Sequence, residues 1–252
     1  PMEHQNIRTL INVRRTMLKN RARTDALIQS IFRLYGGNVK LLNGRGALAA
    51  EVNDQVRKMR QHELEIGVNL QPLVEIAEAL REQISILDRQ MRDIASNNPT
   101  CRNFQTIPGV GAVIALSFYS AIGDPYRFER SRDVGAYLGL TPTLYQSGAT
   151  SRRGRISRHG NKLTRMHLIT AATVLLCRIE IESRLRTWGL ELAQRVGFLK
   201  ARVAVARKLA VIMLGMWKSG SPFRPDGTSS LFLQQEEAGL DPVLISGTQI
   251  SL

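Results

Sequence analysis

Residues 70–94 read LQPLVEIAEALREQISILDRQMRDI and carry the clearest periodicity in the chain. Apolar residues recur in alternating steps of three and four, which places them on one stripe of an α-helix. Charged residues such as Glu75 and Arg81 fall outside that stripe. Pro72 suits the first turn of the helix, and the Asn-Asn-Pro at 97–99 is expected to end it. The stripe consists of Leu70, Leu73, Ala77, Leu80, Ile84, Leu87, Met91 and Ile94.

A weaker version of the same pattern opens the chain. Its members are Leu10, Val13, Met17, Asn20, Thr24, Leu27, Ile31 and Leu34. Asn20 and Thr24 interrupt the apolar stripe, and buried polar residues at such positions fix helix register at some cost in stability. Gly36 and Gly37 are expected to stop this helix, and a third helical stretch spans about 48–64. The pattern predicts a long antiparallel helical hairpin, although the core of an ordinary bundle produces the same periodicity.

From Pro99 onwards glycine, proline and arginine become frequent and the predicted elements shorten. We expect a tight turn and helix over 107–122, a short helix over 131–138, a hairpin or loop over 142–156, and helices over 161–179 and 199–218. The fold class is therefore mainly α. It comprises a helical hairpin or coiled-coil region (1–98), a compact helical domain with a helix-hairpin-helix element and a small β hairpin (99–223), and a flexible tail (224–252).

Composition points to a polyanionic partner. The 252 residues have a formal charge of +14 and are 43% hydrophobic, enough for a sizeable core. Nucleic acid is the simplest partner for such a charge, and a basic ribosome-associated or membrane-surface protein is the alternative. Cys101 and Cys177 have no metal-ligand spacing, and both are expected to be buried thiols in a reducing compartment. A polar N-terminus and short apolar runs predict a soluble cytoplasmic protein with no signal peptide.

The segment Ile107-Pro108-Gly109-Val110-Gly111 is typical of the turn in a helix-hairpin-helix element. Its glycines allow a tight turn, and the backbone N–H groups that open the next helix can face a phosphate. Gly109, Val110 and Gly111 are therefore candidate DNA contacts. A plain glycine turn before a core helix is the structural alternative.

A basic segment follows the predicted hairpin. Between Ser151 and Arg165 there are five Arg, one Lys and no acid. Candidate DNA-binding residues here are Arg152, Arg153, Arg155, Arg158, His159 and Lys162. Because Arg152, Arg155 and Arg158 recur every three residues, their guanidinium groups are expected to converge on one phosphate and stabilise transition-state charge. A solvated basic loop is the simpler interpretation.

Three hydroxyls near this segment are candidate nucleophiles. Tyr145 is expected to pack its ring, and Ser157 to cap the helix that begins near Asn161. Ser147, beside Gly148, is the freest of the three, although the sequence places no strong base nearby.

Several ordered blocks of the chain resemble one known module, the C-terminal transposase domain of the IS110 family of bacterial insertion sequences. They are the blocks at 106–111 (TIPGVG), 122–128 (IGDPYRF), 136–142 (AYLGLTP), 146–148 (QSG), 154–161 (GRISRHGN) and 200–210 (KARVAVARKLA). The resemblance covers about 101–223 densely, and the preceding helices resemble the family's coiled-coil region.

The resemblance implies an RNA-guided DNA transposase. The serine of the family's Ser-Gly step falls on Ser147, which would be the catalytic residue and form a phosphoserine link with DNA. Family members also have an N-terminal RNase-H-like domain with four acidic metal ligands, which completes the site of another subunit through a divalent metal such as Mg2+. Implied partners are DNA, a noncoding guide RNA and further copies of the chain.

Two departures from the family pattern affect these expectations. Many relatives have two serines before the glycine, whereas this chain has Gln146 and Ser147. The chain also begins about where the acidic domain should end. Glu3, Asp25 and Glu51 do not match that domain's pattern, so we assign no metal ligands and expect no cofactor in this chain. It is expected to bind nucleic acid and to oligomerise, but not to cut DNA alone.

Two other interpretations remain open on the sequence. One is a noncatalytic DNA- or RNA-binding protein that uses the glycine turn and the basic loop. The other is a helical scaffold whose main property is coiled-coil assembly. The chain has no phosphate-loop lysine motif, which disfavours an ATPase, and Trp188 and Trp217 are expected to be core residues rather than base-stacking platforms.

Overall fold

The computed structural model describes residues 2–42, 44, 46–58, 63–147 and 150–226. In chain order the elements are α1 (Met2–Leu34), α2 (Ala47–Lys58), α3 (Glu63–Asn97), α4 (Pro99–Gln105), α5 (Ala112–Ile122), a 3-10 turn (Pro125–Arg127), α6 (Asp133–Tyr137), β1 (Pro142–Ser147), β2 (Thr150–Ile156), α7 (Lys162–Cys177), α8 (Arg184–Val196) and α9 (Phe198–Ser219). The described part is mainly helical with one small antiparallel sheet, as predicted. The chain divides into a helical unit (8–93) and a compact unit (2–7 with 94–226).

In the helical unit α1 and α3 run antiparallel. Arg14 in the first half of α1 pairs with Asp88 late in α3, and Asp25 further along α1 pairs with Arg81, about two turns earlier in α3. The helices are longer than predicted, with 33 and 35 residues, about 50 Å each. The two glycines after α1 end it as expected, with φ 74° at Gly36.

On α1 the stripe that faces the core is rotated by one residue from the predicted one, whereas on α3 every second predicted member is buried as expected and only the steps between them shift by one residue. On α3 the buried positions are Leu70, Val74, Ala77, Arg81, Ile84 and Met91, and on α1 they include Ile11, Asp25, Ile28 and Phe32. The predicted members Val13, Leu27 and Ile94 are exposed. The prediction took Thr24 and Leu80 as stripe members, whereas their neighbours Asp25 and Arg81 are the buried residues and pair with each other.

Asn20 is also exposed, so it does not set the register as expected. A buried ion pair between Asp25 and Arg81 joins α1 and α3 instead. The Arg81 guanidinium is 9% exposed and donates from Nη2 to Asp25 Oδ1 at 2.7 Å and from Nη1 to the Ala77 carbonyl at 3.0 Å. Pro72 lies in the interior of α3 rather than in its first turn, because that helix starts at Glu63.

The third helix, α2, completes the core of the helical unit. Its buried residues Leu48, Val52 and Val56 recur every four residues and join a cluster with residues of α1 and α3. Glu78 of α3 accepts hydrogen bonds from the backbone N–H groups of Leu48 and Ala49 at 3.0 and 3.2 Å. A carboxylate from another helix thus caps the first turn of α2.

The compact unit is built around α9, which contacts α4, α6, α7 and α8. Trp217 of α9 stacks on Tyr119 of α5, with ring centroids 4.8 Å apart, and meets Phe104 edge-on. The expectation that Trp217 is a core residue is therefore confirmed. Cys101 is also buried as predicted, but Cys177 is exposed because it ends α7.

The sequence analysis did not identify α8, whose buried face consists of Leu185, Gly189 and Leu192. The predicted tail begins at 224, but Pro225 still accepts a hydrogen bond from the Arg184 N–H at 3.0 Å. Residues 227–252 of that predicted tail lie outside the described residues.

Candidate nucleic-acid interface and nucleophile

A two-stranded hairpin carries the candidate nucleophile. β1 and β2 pair antiparallel, from Pro142 opposite Ile156 at the base to Ser147 opposite Thr150 at the tip. Ser147 is the last residue of β1 and its side chain is exposed. Gly148 and Ala149, which link the strands, lie outside the described residues. Ser147 is thus at the end of a projecting element, where an extended ligand can approach it.

A bulge marks the base of the hairpin. Thr143 faces two residues of β2, because Leu144 pairs with Arg153 while Pro142 pairs with Ile156. The Thr143 hydroxyl donates to the Arg155 carbonyl at 2.9 Å. Bulges increase strand twist and redirect side chains at functional edges.

Two of the three arginines predicted to converge on one phosphate, Arg155 and Arg158, do not lie beside Ser147 in this hairpin. Arg155 and Arg158 lie at or beyond its base, about 17 Å of strand from Ser147. Both side chains are exposed, as are those of His159 and Lys162. The side chains of Arg152 and Arg153, and of Tyr145, lie outside the described part of the structure. The exposed cations that the structure describes therefore lie at or beyond the base of the hairpin, away from Ser147 at its tip.

Residues 157–161, which we call the strap, run from β2 to α7 and pack against the turn at 138–141 after α6. The Ser157 N–H donates to the Thr141 carbonyl at 2.8 Å, and the Arg158 N–H donates to the Gly139 carbonyl at 3.3 Å. Contact is so close that a Cβ on Gly139 would lie 2.2 Å from the His159 carbonyl oxygen. Only glycine fits there.

The second glycine of this contact is Gly160. A Cβ on it would lie 2.0 Å from the Tyr137 carbonyl oxygen, and its φ of 74° also favours glycine. Asn161 then caps α7, accepting from the Leu163 and Thr164 N–H groups at 3.0 Å each. The prediction that Ser157 caps α7 is therefore wrong. Asn161 sits at the cap position itself.

Arg165 was not among the predicted site residues, yet it holds the strap in place. Its side chain is 7% exposed, and Nη1 donates to the carbonyls of Leu138 at 2.9 Å and His159 at 2.8 Å. Burial lowers the pKa of the Arg165 guanidinium, and the nearby Arg158 guanidinium lowers it further. A charged residue among Leu163, Thr164 and Leu168 on the buried face of α7 was the signal for it in the sequence.

The predicted helix-hairpin-helix element corresponds to α4, a turn at 106–111 and α5. Gly109 has φ 89° and packs against α7, where a Cβ would lie 3.1 Å from the Ala171 carbonyl oxygen. Val110 is 4% exposed and its N–H donates to the Ile107 carbonyl at 3.0 Å. Gly111 is exposed and opens α5 without a side-chain cap. Any contact with a ligand at this turn therefore falls to the backbone at Gly111 and the first turn of α5.

The described residues offer no site for a metal ion, since no three His, Cys, Asp or Glu side chains among them come together. Nor does any described helix have the length and apolarity to span a membrane.

Comparison with known proteins gives a consistent family assignment. The model of the transposase family IS116/IS110/IS902 matches residues 101–187, which contain the turn at Gly109, the hairpin, the strap and α7. The transposase for insertion sequence element IS1111A of Coxiella burnetii is 29% identical over 234 residues, covering 88% of this chain and 61% of that protein.

Two further relatives agree. The transposase for insertion sequence element IS1328 of Yersinia enterocolitica is 33% identical over 145 residues, 57% of this chain and 43% of the relative. A probable family 20 transposase of Pseudomonas aeruginosa is 28% identical over 228 residues, 88% of this chain and 66% of the relative. The chain thus spans less than two thirds of these relatives' lengths. Over residues 101–187 the chain is similar to the IS116/IS110/IS902 family of transposases, and the relatives that align beyond that range are transposases as well.

Proposed function

We propose that this chain is the serine-bearing part of a DNA transposase and that Ser147 is its nucleophile. The observation that carries the proposal is the position of Ser147, exposed at the tip of a hairpin whose base is followed by exposed cations. A phosphodiester can reach the hydroxyl without any rearrangement of the core.

The proposed step is a transesterification at phosphorus. The Ser147 oxygen forms a bond to phosphorus as the bond from phosphorus to a nucleoside oxygen breaks. The serine proton passes to a base or water, and the departing oxygen takes up a proton. The product is a phosphoserine link, which a second nucleoside hydroxyl reverses to complete strand exchange.

The surroundings support binding of the DNA backbone. Arg155, Arg158, His159 and Lys162 have exposed side chains at the base of the hairpin, where each can contact a phosphate distinct from the one attacked. The opening of α5 at Gly111 presents backbone N–H groups to a further phosphate. Such contacts fix the position of the duplex but do not read its sequence. Sequence choice by a guide RNA, implied by the resemblance, agrees with this arrangement.

The described residues do not fit a catalytic metal, so no step is assigned to one here. We propose instead that an acidic domain with Mg2+, on a second copy of the protein, supplies metal chemistry to the Ser147 site. The active form would then be a homo-oligomer acting on DNA in the cytoplasm.

Replacement of single hydroxyls tests the nucleophile. Ser147→Ala, assayed in the full-length protein with guide RNA and donor and target DNA, should abolish strand exchange while DNA affinity stays within about twofold. Ser157→Ala is the matched control, because it removes a hydroxyl at the strap but retains the N–H that bonds to Thr141. Strand exchange by the Ser147 variant at the wild-type rate would exclude this serine as the nucleophile.

A noncatalytic nucleic-acid-binding role is the second candidate function. It is favoured by the distance between Ser147 and the exposed cations of the strap. Under this alternative both serine variants would bind DNA normally, and neither the wild type nor the variants would exchange strands.

A further inference from the structure

Arg158 has a strained backbone conformation and an uncompensated charge, and neither of these stabilises the fold. Its φ is 59°, and it is the only residue other than glycine with positive φ in the described part of the chain. An arginine in this left-handed region is strained relative to glycine. Such strain persists where the surroundings enforce it, and it clusters at functional sites.

The charge around Arg158 is also uncompensated. The Arg165 guanidinium is buried nearby, and its hydrogen bonds go to two carbonyl oxygens. Among the described residues no carboxylate forms an ion pair with either arginine. Two neighbouring cations without an acid raise the local positive potential, and an anion would relieve their repulsion.

The strap itself is rigid. The Gly139 and Gly160 contacts leave no room for a Cβ, and the two Arg165 hydrogen bonds join the strap to the preceding turn. The exposed Arg158 side chain therefore starts from a fixed backbone. A preorganised donor loses less conformational entropy on binding than one on a mobile loop.

We propose that Arg158 is the principal phosphate contact of the strap and that Arg165 is a positioning residue acting through it. This inference rests on the proposed DNA-binding function and assigns residues within it. The contacted phosphate is distinct from the one that Ser147 attacks, because the length of the hairpin, about 17 Å of strand, separates the backbone at Ser147 from the strap. The strap thus holds the duplex at a set distance from the reacting phosphate.

Arg158→Gly provides the main test, because stability and binding should respond in opposite directions. Glycine adopts φ 59° without strain, so the melting temperature should stay the same or rise by about 2 °C. Affinity for a duplex DNA probe should fall about tenfold, and the slope of log affinity against log salt should lose about 0.9 in magnitude, as expected for one phosphate contact.

Arg178→Met is the matched control. Arg178 is an exposed arginine that caps the other end of α7, so the variant has the same charge change without touching the strap. Its affinity should fall less than threefold. If Arg158→Gly binds DNA like this control, the proposal is overturned.

Arg165→Met tests the positioning role. Its effect on DNA affinity should largely disappear in the Arg158→Gly background, since Arg165 acts through that side chain. A purely structural role would instead give additive losses in the double variant and would refute the proposal for Arg165. If Arg165→Met does not fold, the Arg158→Gly comparison still decides the phosphate contact. A wild-type protein without salt-dependent DNA binding would refute the proposed function itself, whatever the variants do.

Discussion

Removal of the Asp25 carboxylate should destabilise the helical unit more than removal of its whole ion pair. Asp25 is 7% exposed and Arg81 is 9% exposed, and the two side chains join at 2.7 Å. In Asp25→Leu the Arg81 guanidinium stays buried and retains only its carbonyl acceptors. Leaving one charge of such a pair buried costs about 3–5 kcal/mol, and we expect about 3 kcal/mol because those carbonyl bonds remain.

The double variant Asp25→Leu/Arg81→Met removes both charges and fills the space with apolar groups. Its stability should lie within about 1 kcal/mol of the wild type, or above it, because Arg81 no longer leaves a buried charge unpaired. Arg21, which lies 3.9 Å from Asp25, also loses this acid, but its side chain is 31% exposed and stays partly solvated. Urea unfolding followed by circular dichroism gives the free energies. Asp54→Ala serves as the control, since its ion pair with Lys58 lies on an exposed surface and should have no measurable effect.

Equal destabilisation of the single and double variants would refute this reasoning. The loss would then come from packing around the two side chains rather than from an unpaired guanidinium.

Three further predictions concern the compact unit. Gly160→Ala should lose more than about 3 kcal/mol of stability in thermal unfolding, because its Cβ would collide with the Tyr137 carbonyl oxygen. The control Gly220→Ala also has positive φ but lies in open space, so it should lose only about 1 kcal/mol. Equal losses in the two variants would show that the collision at Gly160 is not the cause. Burial raises the pKa of the Cys101 thiol to about 12 from 9.0, so the unfolded chain loses this proton first as the pH rises. About 2–3 kcal/mol of stability should therefore be lost between pH 9 and pH 11, and Cys101→Ala should lose less over that range. Parallel curves of stability against pH for the two proteins would exclude the thiol as the cause. Asn161→Ala should lose about 1 kcal/mol through the α7 cap and Asn161→Asp should not; similar unfolding energies for the two would argue against capping.

Periodicity alone was enough to predict the long helices, their end at Gly36 and the mainly helical fold. It placed the buried stripe of α1, and every second step of the stripe of α3, one residue away because Arg81 and Asp25 occupy core positions as a pair. A single sequence shows the spacing of charged residues, but it does not show which of them meet across two helices. The stripe could have been corrected only by testing both rotations against complementary charges.

At the candidate site the sequence predicted three features: the hairpin, the exposed position of Ser147 and the helix after the strap. The role of Arg165 could not be predicted from the sequence, because its side chain bonds to the carbonyl oxygens of residues 27 and 6 positions away along the chain. The distance of Arg155 and Arg158 from Ser147 was not foreseen for a related reason. A three-residue spacing was treated as a cluster, but the strand carries Arg155 to the base of the hairpin and Arg158 lies beyond the strand.

The most direct test of the account is the identity of the residue that becomes attached to DNA. The full-length protein would be trapped with guide RNA on a nicked donor DNA that prevents religation, digested, and analysed by mass spectrometry. We predict one nucleotide-linked peptide, with the phosphate ester on Ser147. An adduct on Tyr145 or Ser157, or strand exchange with no covalent intermediate, would contradict it.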